Sequence, residues 1–425
     1  MNSYHLPADS EVVVAGAGII GLTTALYLSD RGVRVTICDK GTVGCEQSTR
    51  NWGWVRRMGR DPIEIPLAKE SARLWETLAG HIGQDVGFRK TGIFYLCKSQ
   101  KDLVKYEAWV PHAKAHDLDS HMLSAQQLQT YLPSLSGEWS GAMFTPSDAR
   151  AEPSLATPAI AAELRRRGIS VIENCAVRGI ETTSGKITAA VTERGTIACG
   201  NFVLATGAWT RLFCRNIGID FPQLRVFGSV LRTGPVNGAP EYAVAGNDFA
   251  FRKRLDGGYT VAQKNANIAQ IVPDSFLLMR QFMPAFRSEG NEVRLRFGKA
   301  FFEDLMTKKR WTSSDATPFE TERQLNPKPD QKILAEGLRN LTRSFPAFAG
   351  AEVLESWGCA IDVTPDAIPV ISEVPSLPGL IIASGFSGHG FGIGPGAGHL
   401  IADIITGSNP IVDPLPYRLS RIVRT

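Results

Sequence analysis

Paired cysteines are the first thing this sequence lacks. Its seven cysteines are scattered, with no Cys-x-x-Cys, so neither a metal site nor an iron–sulfur cluster has support. An odd, unclustered set fits a reducing compartment, and the expected location is cytoplasmic. An excess of one charge is missing as well: 46 Lys and Arg against 42 Asp and Glu leave +4. So small a balance, with no long basic block, leaves no footprint for nucleic acid. The run Arg165-Arg166-Arg167 falls at the end of a predicted helix, where cations suit the C-terminal dipole, and reads as a solvated face. The first ten residues are polar and offer no apolar signal region. The most apolar early stretch, 12–28, is broken by three glycines. No segment supplies the ~20 unbroken apolar residues of a transmembrane span. Internal repeats and low-complexity linkers are absent too.

What is present is an ordinary globular composition, 43% hydrophobic and 21% charged. A length of 425 residues exceeds one hydrophobic core and predicts two closely packed domains. A short apolar run at 12–15 reads as a buried parallel strand. A helix follows over 19–30, closed by Gly32, and a second strand over 34–38. Helices are predicted over 62–79, 103–128, 153–167, 275–283 and 399–406. Strands are predicted within 83–96 and over 170–172, 202–205, 229–232, 258–262, 353–357 and 379–383, with a hairpin over 177–197. Glycine dominates 385–398, which reads as a loop.

The first chemical motif is Gly16-Ala17-Gly18-Ile19-Ile20-Gly21, a G-x-G-x-x-G between a predicted strand and a predicted helix. Its first glycine permits the tight turn, its second lets backbone approach a pyrophosphate, and its third lets helix and strand pack closely. The helix N-terminus then offers free N–H groups to negative phosphates. Asp39 ends the second strand 18 residues after Gly21, where a carboxylate accepts hydrogen bonds from an adenosine ribose. It would repel a 2′-phosphate, which disfavours NADP and leaves NAD and FAD open at this point.

Four stretches together resemble the D-amino-acid oxidase superfamily of FAD-dependent oxidoreductases. They are Gly16–Gly21 with Asp39; Ser48-Thr49-Arg50-Asn51-Trp52-Gly53; Val203-Leu204-Ala205-Thr206-Gly207-Ala208-Trp209; and Ser384-Gly385-Phe386-Ser387-Gly388-His389-Gly390-Phe391-Gly392. They run in family order across nearly the whole chain. The resemblance implies FAD as cofactor. It also implies an α/β fold: a Rossmann-like FAD-binding domain (1–85, 146–221 and 344–425) interleaved with an α+β substrate domain on a mainly antiparallel sheet (86–145 and 222–343). The implied cofactor contacts are Gly16, Gly18, Ile20, Gly21, Asp39, Lys40, Ser48, Thr49, Arg50, Asn51, Trp52, Val177, Thr206, Gly207, Trp209, Cys359, and Gly388 through Gly392. In the last loop, convergent N–H groups would face the flavin edge that becomes negative on reduction, helped by a helix starting near 396.

The implied reaction is oxidation of a carbon–nitrogen bond in an amino acid or amine, giving an imine that water hydrolyses. The alternatives are a dehydrogenase subunit passing electrons to a quinone or partner subunit, and a non-enzymatic FAD-binding assembly factor. Two familiar anchors for a substrate carboxylate are missing. Ile361 stands where relatives of glycine oxidase carry arginine, and Gly392 where sarcosine-oxidase-like members carry lysine. Arg252, in a strand region that lines the site in relatives, is therefore the first candidate anchor. Arg56 and Arg57 are further candidates, and Trp52 and Trp54 are candidate pocket walls. His389 is a candidate for proton transfer or ring positioning. Cys359 occupies the place of a flavin-linked cysteine in some relatives, and the expectation is a small buried thiol beside a non-covalent FAD, with Trp357-Gly358 forming a tight turn.

Overall fold

The computed structural model describes residues 6–289 and 293–423. The apolar runs near the N-terminus become the centre of a six-stranded sheet. Its order is Val370–Glu373, Leu380–Ser384, Asn201–Leu204, Val12–Ala15, Val35–Cys38, Ser170–Ile172. Five strands run parallel and only the edge strand Val370–Glu373 is antiparallel to its neighbour. All four residues of Val12–Ala15 are buried, as expected of a parallel strand covered on both faces. The hairpin region forms three antiparallel strands, Val177–Thr183, Lys186–Thr192 and Gly195–Ala198.

The second sheet is mixed and mainly antiparallel. It runs from Val293–Arg296 through Asn267–Gln270, Leu224–Thr233, Tyr259–Ala262, Ala250–Lys253, Ala243–Ala245, Ile93–Cys97 and Gly141–Thr145 to His121–Ser124. The long strand Val353–Val363 also pairs with Leu224–Thr233. This corrects two expectations. Residues 353–363 lie in the second sheet, although the sequence reading places 344–425 in the FAD-binding domain. Trp357-Gly358 is strand, not turn. Glycine is needed at 358 because a Cβ there would collide with the Pro327 carbonyl.

The helix read over 103–128 is broken into Gln100–Glu107, Val110–Ala115 and Ala125–Tyr131, with the strand His121–Ser124 between the last two. Ser99 and Ser124 each form a capping box that starts a new helix, which a polar, weakly periodic stretch does not reveal. The helix near 275–283 is likewise two, Pro273–Leu277 and Met279–Glu289.

The largest correction concerns 385–398. Helix starts at Gly390 and continues to Thr406, so most of the glycines are helical. They serve contact: a Cβ on Gly396 would press on Ser71 and Leu67, and one on Gly398 on Thr23. This helix therefore nests against both Ile19–Ser29 and Ile65–Ile82. Ser71 and Trp75 donate to the Gly392 carbonyl at 2.9 and 3.0 Å, which fixes the first turn.

Candidate functional site

One continuous cavity of about 1700 Å³ runs from the Gly16 turn to the start of the helix Gly390–Thr406. The Gly16 turn is built by sterics. Gly16 has φ +107°, and its Cβ would strike the Ala205 carbonyl, while one on Gly21 would strike the Gly16 carbonyl. Gly21 thus packs strand on helix and does not border the cavity, whereas Gly16, Gly18 and Ile20 do. Ile19 N donates to Ser48 Oγ at 2.9 Å, tying the 48–53 segment to the helix start.

Asp39 borders the cavity, and its oxygens accept from Ala17 N at 2.6 Å and Gly41 N at 2.7 Å. Burial pushes its pKa up, against those two hydrogen bonds. Lys40 bonds Glu46 at 2.7 Å and lies 4.3 Å from the Trp209 ring centre. Arg225 covers the same ring at 4.7 Å. Glu46 also accepts from Trp209 Nε1 at 3.1 Å and from Leu325 N at 2.8 Å. Glu46 and Arg225 carry no motif signature, so sequence reading misses them. Val177, Thr206 and Gly207 border this end too. Ser48, Arg50, Asn51 and Trp52 border the cavity, but Thr49 does not: its hydroxyl donates to the Gly44 carbonyl at 2.8 Å. Arg50 reaches the Gly358 carbonyl at 3.1 Å and Asn326 Oδ1 at 2.6 Å, linking this segment to the long strand.

At the opposite end, residues Gly388 through Gly392 border the cavity and point the N-terminus of a 17-residue helix into it. Asp362, which no motif marks, holds the loop. Its carboxylate accepts from Gly385 N at 2.7 Å, Gln223 Nε2 at 3.1 Å and Ser384 Oγ at 3.2 Å. Cys359 borders the cavity on the long strand, and burial pushes its thiol up to about 12.

The wall beyond the loop is aromatic and cationic. Trp52 and Trp54 meet edge to face at 5.4 Å, and Tyr95 lies 6.3 Å from Trp54 and 5.5 Å from Tyr106. Arg56 and Lys264 approach the Tyr95 ring at 5.7 and 4.9 Å. Lys264 follows the strand Tyr259–Ala262 and is 3.5 Å from the Tyr106 hydroxyl. Behind them, Glu64 Oε2 is 3.3 Å from His389 Nδ1. Burial, then the nearby Arg60, push His389 down to about 4, so its ring is neutral at neutral pH. Burial would raise Glu64, but His389, Arg60 and Arg56 outweigh it and hold the carboxyl below its usual range. Trp54 Nε1, Arg60 Nη1 and Glu64 Oε1 are buried on this cavity without a hydrogen-bond partner in the protein, while His389 Nδ1 faces Glu64 Oε2. Buried polar atoms are normally satisfied, so these atoms are available to a group bound in the cavity.

Arg252 is placed elsewhere. It is 1% exposed, grips Glu152 through both terminal nitrogens at 2.7 and 2.9 Å, and donates to the Trp52 carbonyl. It does not border the cavity. The expected carboxylate anchor is therefore a closed structural pair, and Arg57 is tied to Asp148 Oδ1 by its backbone N at 2.9 Å and its Nε at 3.1 Å. Among the described residues, no cluster of His, Cys, Asp or Glu could hold a metal ion, and no helix is long and apolar enough to cross a membrane.

The cavity fits FAD. It joins a phosphate-accepting glycine turn and helix start to a second helix start, with orphaned donors beside the latter. A family model for FAD-dependent oxidoreductases, DAO, matches residues 11–404. Glycine oxidase of Pseudomonas putida is 25% identical over 96% of this chain and 98% of its own length. The beta subunit of sarcosine oxidase from an Arthrobacter species is 23% identical over 97% of this chain and 90% of its own. Among solved structures, L-amino acid deaminase from Proteus myxofaciens, in complex with anthranilate, superposes with a TM-score of 0.95. It shares 34% identity and covers 99% of this chain and 95% of its own. L-amino acid deaminase from Proteus vulgaris gives 0.94 at 29% identity, covering 99% of both chains.

Proposed function

This chain belongs to the DAO family of FAD-dependent oxidoreductases, and on that premise we propose that it oxidises the Cα–N bond of an L-α-amino acid. The bound flavin supplies the acceptor for the hydride that leaves Cα. The resulting imine takes up water and yields a 2-oxo acid and ammonia. The chain's own residues bind, orient and exclude water. Arg56 and Lys264, converging on Tyr95, hold the substrate carboxylate, in the role first assigned to Arg252. Trp52, Trp54 and Tyr95 wall the pocket. Asp39, Lys40, Trp209 and Val177 would hold the adenosine half of FAD, and the turn at Gly16 and Gly18 its pyrophosphate. The residues Gly388 to Gly392, which line the cavity, would face the ring edge of bound FAD. A side-chain base is not required of His389, whose depressed pKa suits a neutral positioning group.

One observation carries this reading: two cations and an aromatic wall border the same cavity as the C-terminal loop. The resemblance to solved L-amino acid deaminases supports the stereochemistry. The test is an anaerobic screen that follows flavin bleaching at ~450 nm with D- and L-amino acids, N-methyl amino acids and opines. Rapid bleaching by L-amino acids is expected, and bleaching by D-isomers or N-methyl compounds alone would overturn it.

A second feature bears on the electron acceptor. Phe276, Met279, Phe282, Met283 and Phe286 also border the cavity, giving an apolar approach that suits a quinone better than a polar acceptor. Little hydrogen peroxide is then expected on aerobic turnover, and stoichiometric peroxide would assign oxygen instead.

A further inference from the structure

The substrate end of the cavity holds one cation more than an α-carboxylate needs. Arg56 and Lys264 suffice for that group. Arg60 borders the same space and is 3% exposed. The turn that carries it is fixed from two sides. Gly59 has φ +66°, and a Cβ there would lie 3.1 Å from the Tyr95 ring, so the chain passes close to Tyr95. Trp109 Nε1 donates to the Arg60 carbonyl at 2.7 Å. Arg60 Nε reaches the Arg56 carbonyl at 3.4 Å, and Nη1 is buried without a partner. Burial, then the like charge of Arg56, push the Arg60 pKa down to about 9, so the group is still a cation at neutral pH.

Other cations on this cavity are answered by carboxylates. Asp274 pairs with Arg211 at 2.7 Å and with Arg215 at 3.0 Å, and Glu46 pairs with Lys40 at 2.7 Å. Among the described residues, no carboxylate forms an ion pair with Arg60. Its neighbour Glu64 turns Oε2 to His389 at 3.3 Å. Glu64 also feels both Arg60 and Arg56, and one carboxylate cannot neutralise two guanidinium groups. A substrate with a single carboxylate, taken up by Arg56 and Lys264, would leave Arg60 a buried cation without its counter-charge, which is costly. A second carboxylate on the substrate removes that cost.

On the reading that the reaction is oxidation of an L-α-amino acid, we propose that the side chain of the substrate itself ends in a carboxylate, and that Arg60 receives it. A guanidinium binds a carboxylate through parallel N–H donors. An amide of the same shape offers no charge to meet it. The product is then a 2-oxo dicarboxylic acid.

Anaerobic bleaching of the FAD-loaded protein tests this with L-glutamate against L-glutamine and L-aspartate against L-asparagine, because each pair differs in charge and hardly in shape. At low concentration the acid of at least one pair should bleach the flavin on the order of ten- to a hundredfold faster than its amide, as a charged hydrogen bond implies. Arg60→Met should collapse that acid-to-amide ratio, and Arg60→Lys should restore part of it. Flavin absorbance and thermal unfolding would establish that both variants are folded, and the wild-type ratio is read without them. If neutral L-amino acids bleach the flavin and neither acid outruns its amide, the proposal is overturned while L-amino acid oxidation stands. If no L-amino acid bleaches it, both are overturned. An equal loss with acid and amide in Arg60→Met would overturn the proposal too, because Arg60 would then serve the flavin or the α-carboxylate.

Discussion

Two buried ionic groups in this molecule use similar residues and do opposite things. Arg252 and Glu152 form a closed pair: both terminal guanidinium nitrogens bond the carboxylate at 2.7 and 2.9 Å, and Leu255 N adds a third bond at 3.0 Å. Arg60, Glu64 and His389 form an open one. Glu64 Oε2 approaches His389 Nδ1 at 3.3 Å, and Arg60 Nη1 and Glu64 Oε1 remain buried and unpartnered. The closed pair sits away from the cavity and the open group on it. Burying charge is costly unless its hydrogen bonds are completed. Arg150, beside the closed pair, also keeps unpartnered buried atoms away from the cavity, so it is position on the cavity together with incompleteness that marks Arg60 and Glu64 as ligand-facing.

The comparison predicts its largest effect at Arg252. Arg252→Ala should leave Glu152 charged, buried and unpaired, at a cost of about 3–5 kcal/mol in stability. Chemical denaturation measures this. The KM of whatever protein folds should not change, and a wild-type-like stability with a raised KM would return Arg252 to the site. Lys264→Ala should do the reverse. Losing a charged hydrogen bond to a carboxylate costs about 1.5–3 kcal/mol, so KM should rise on the order of ten- to a hundredfold with little change in stability. If Arg56→Ala alone raises KM and Lys264→Ala does not, Arg56 is the anchor.

These two arginines and the lysine also show where sequence reading stops. The Gly16 turn was legible because its sterics are local: strand, glycines, helix and acid fall within one short run. The C-terminal glycines were legible as a cofactor loop but not as helix, because the helices they nest against, Ile19–Ser29 and Ile65–Ile82, lie hundreds of residues away. Arg252 and Lys264 are both cations near strands of one hairpin, and nothing local distinguishes them. What decides is the partner, Glu152 for one and the rings of Tyr95 and Tyr106 for the other. Glu46, Asp362 and Glu64 were invisible for the same reason, since each acts through contacts with segments remote in the chain.

Acid should separate the two groups again. The folded environment holds His389 down to about 4, against ~6.5 for an exposed histidine. Between those values the unfolded chain binds a proton that folded His389 refuses, so stability rises with pH and is lost on acidification across that window. Glu64, held below its ordinary range, adds to the loss as pH falls further. An arginine does not titrate there, so the Glu152–Arg252 pair should contribute no such slope through Arg252. Thermal unfolding of His389→Gln in steps from about pH 4 to 7 should show a flatter profile than wild type. Parallel profiles would show that His389 does not carry the slope.

The smallest effect is expected at Cys359, which tests whether bordering the cavity is enough to make a residue act. Its Sγ is 3.7 Å from the Ala360 carbonyl and its neighbourhood is closed, as at Arg252, although it borders the cavity as Arg60 does. Burial pushes the thiol up to about 12, so little thiolate exists at neutral pH, and the thiolate is the form that makes bonds. FAD should therefore be held without a covalent link. On acid precipitation the yellow colour should pass to the supernatant. Cys359→Ala removes only one sulfur atom from a packed position, so flavin content should be unchanged and the loss of stability about 1 kcal/mol. Flavin that stays with the pellet in wild type but not in Cys359→Ala would reverse the assignment. Cys359 would then be a residue whose satisfied surroundings conceal a reactive role, and the contrast between closed and open groups would fail at the cavity wall.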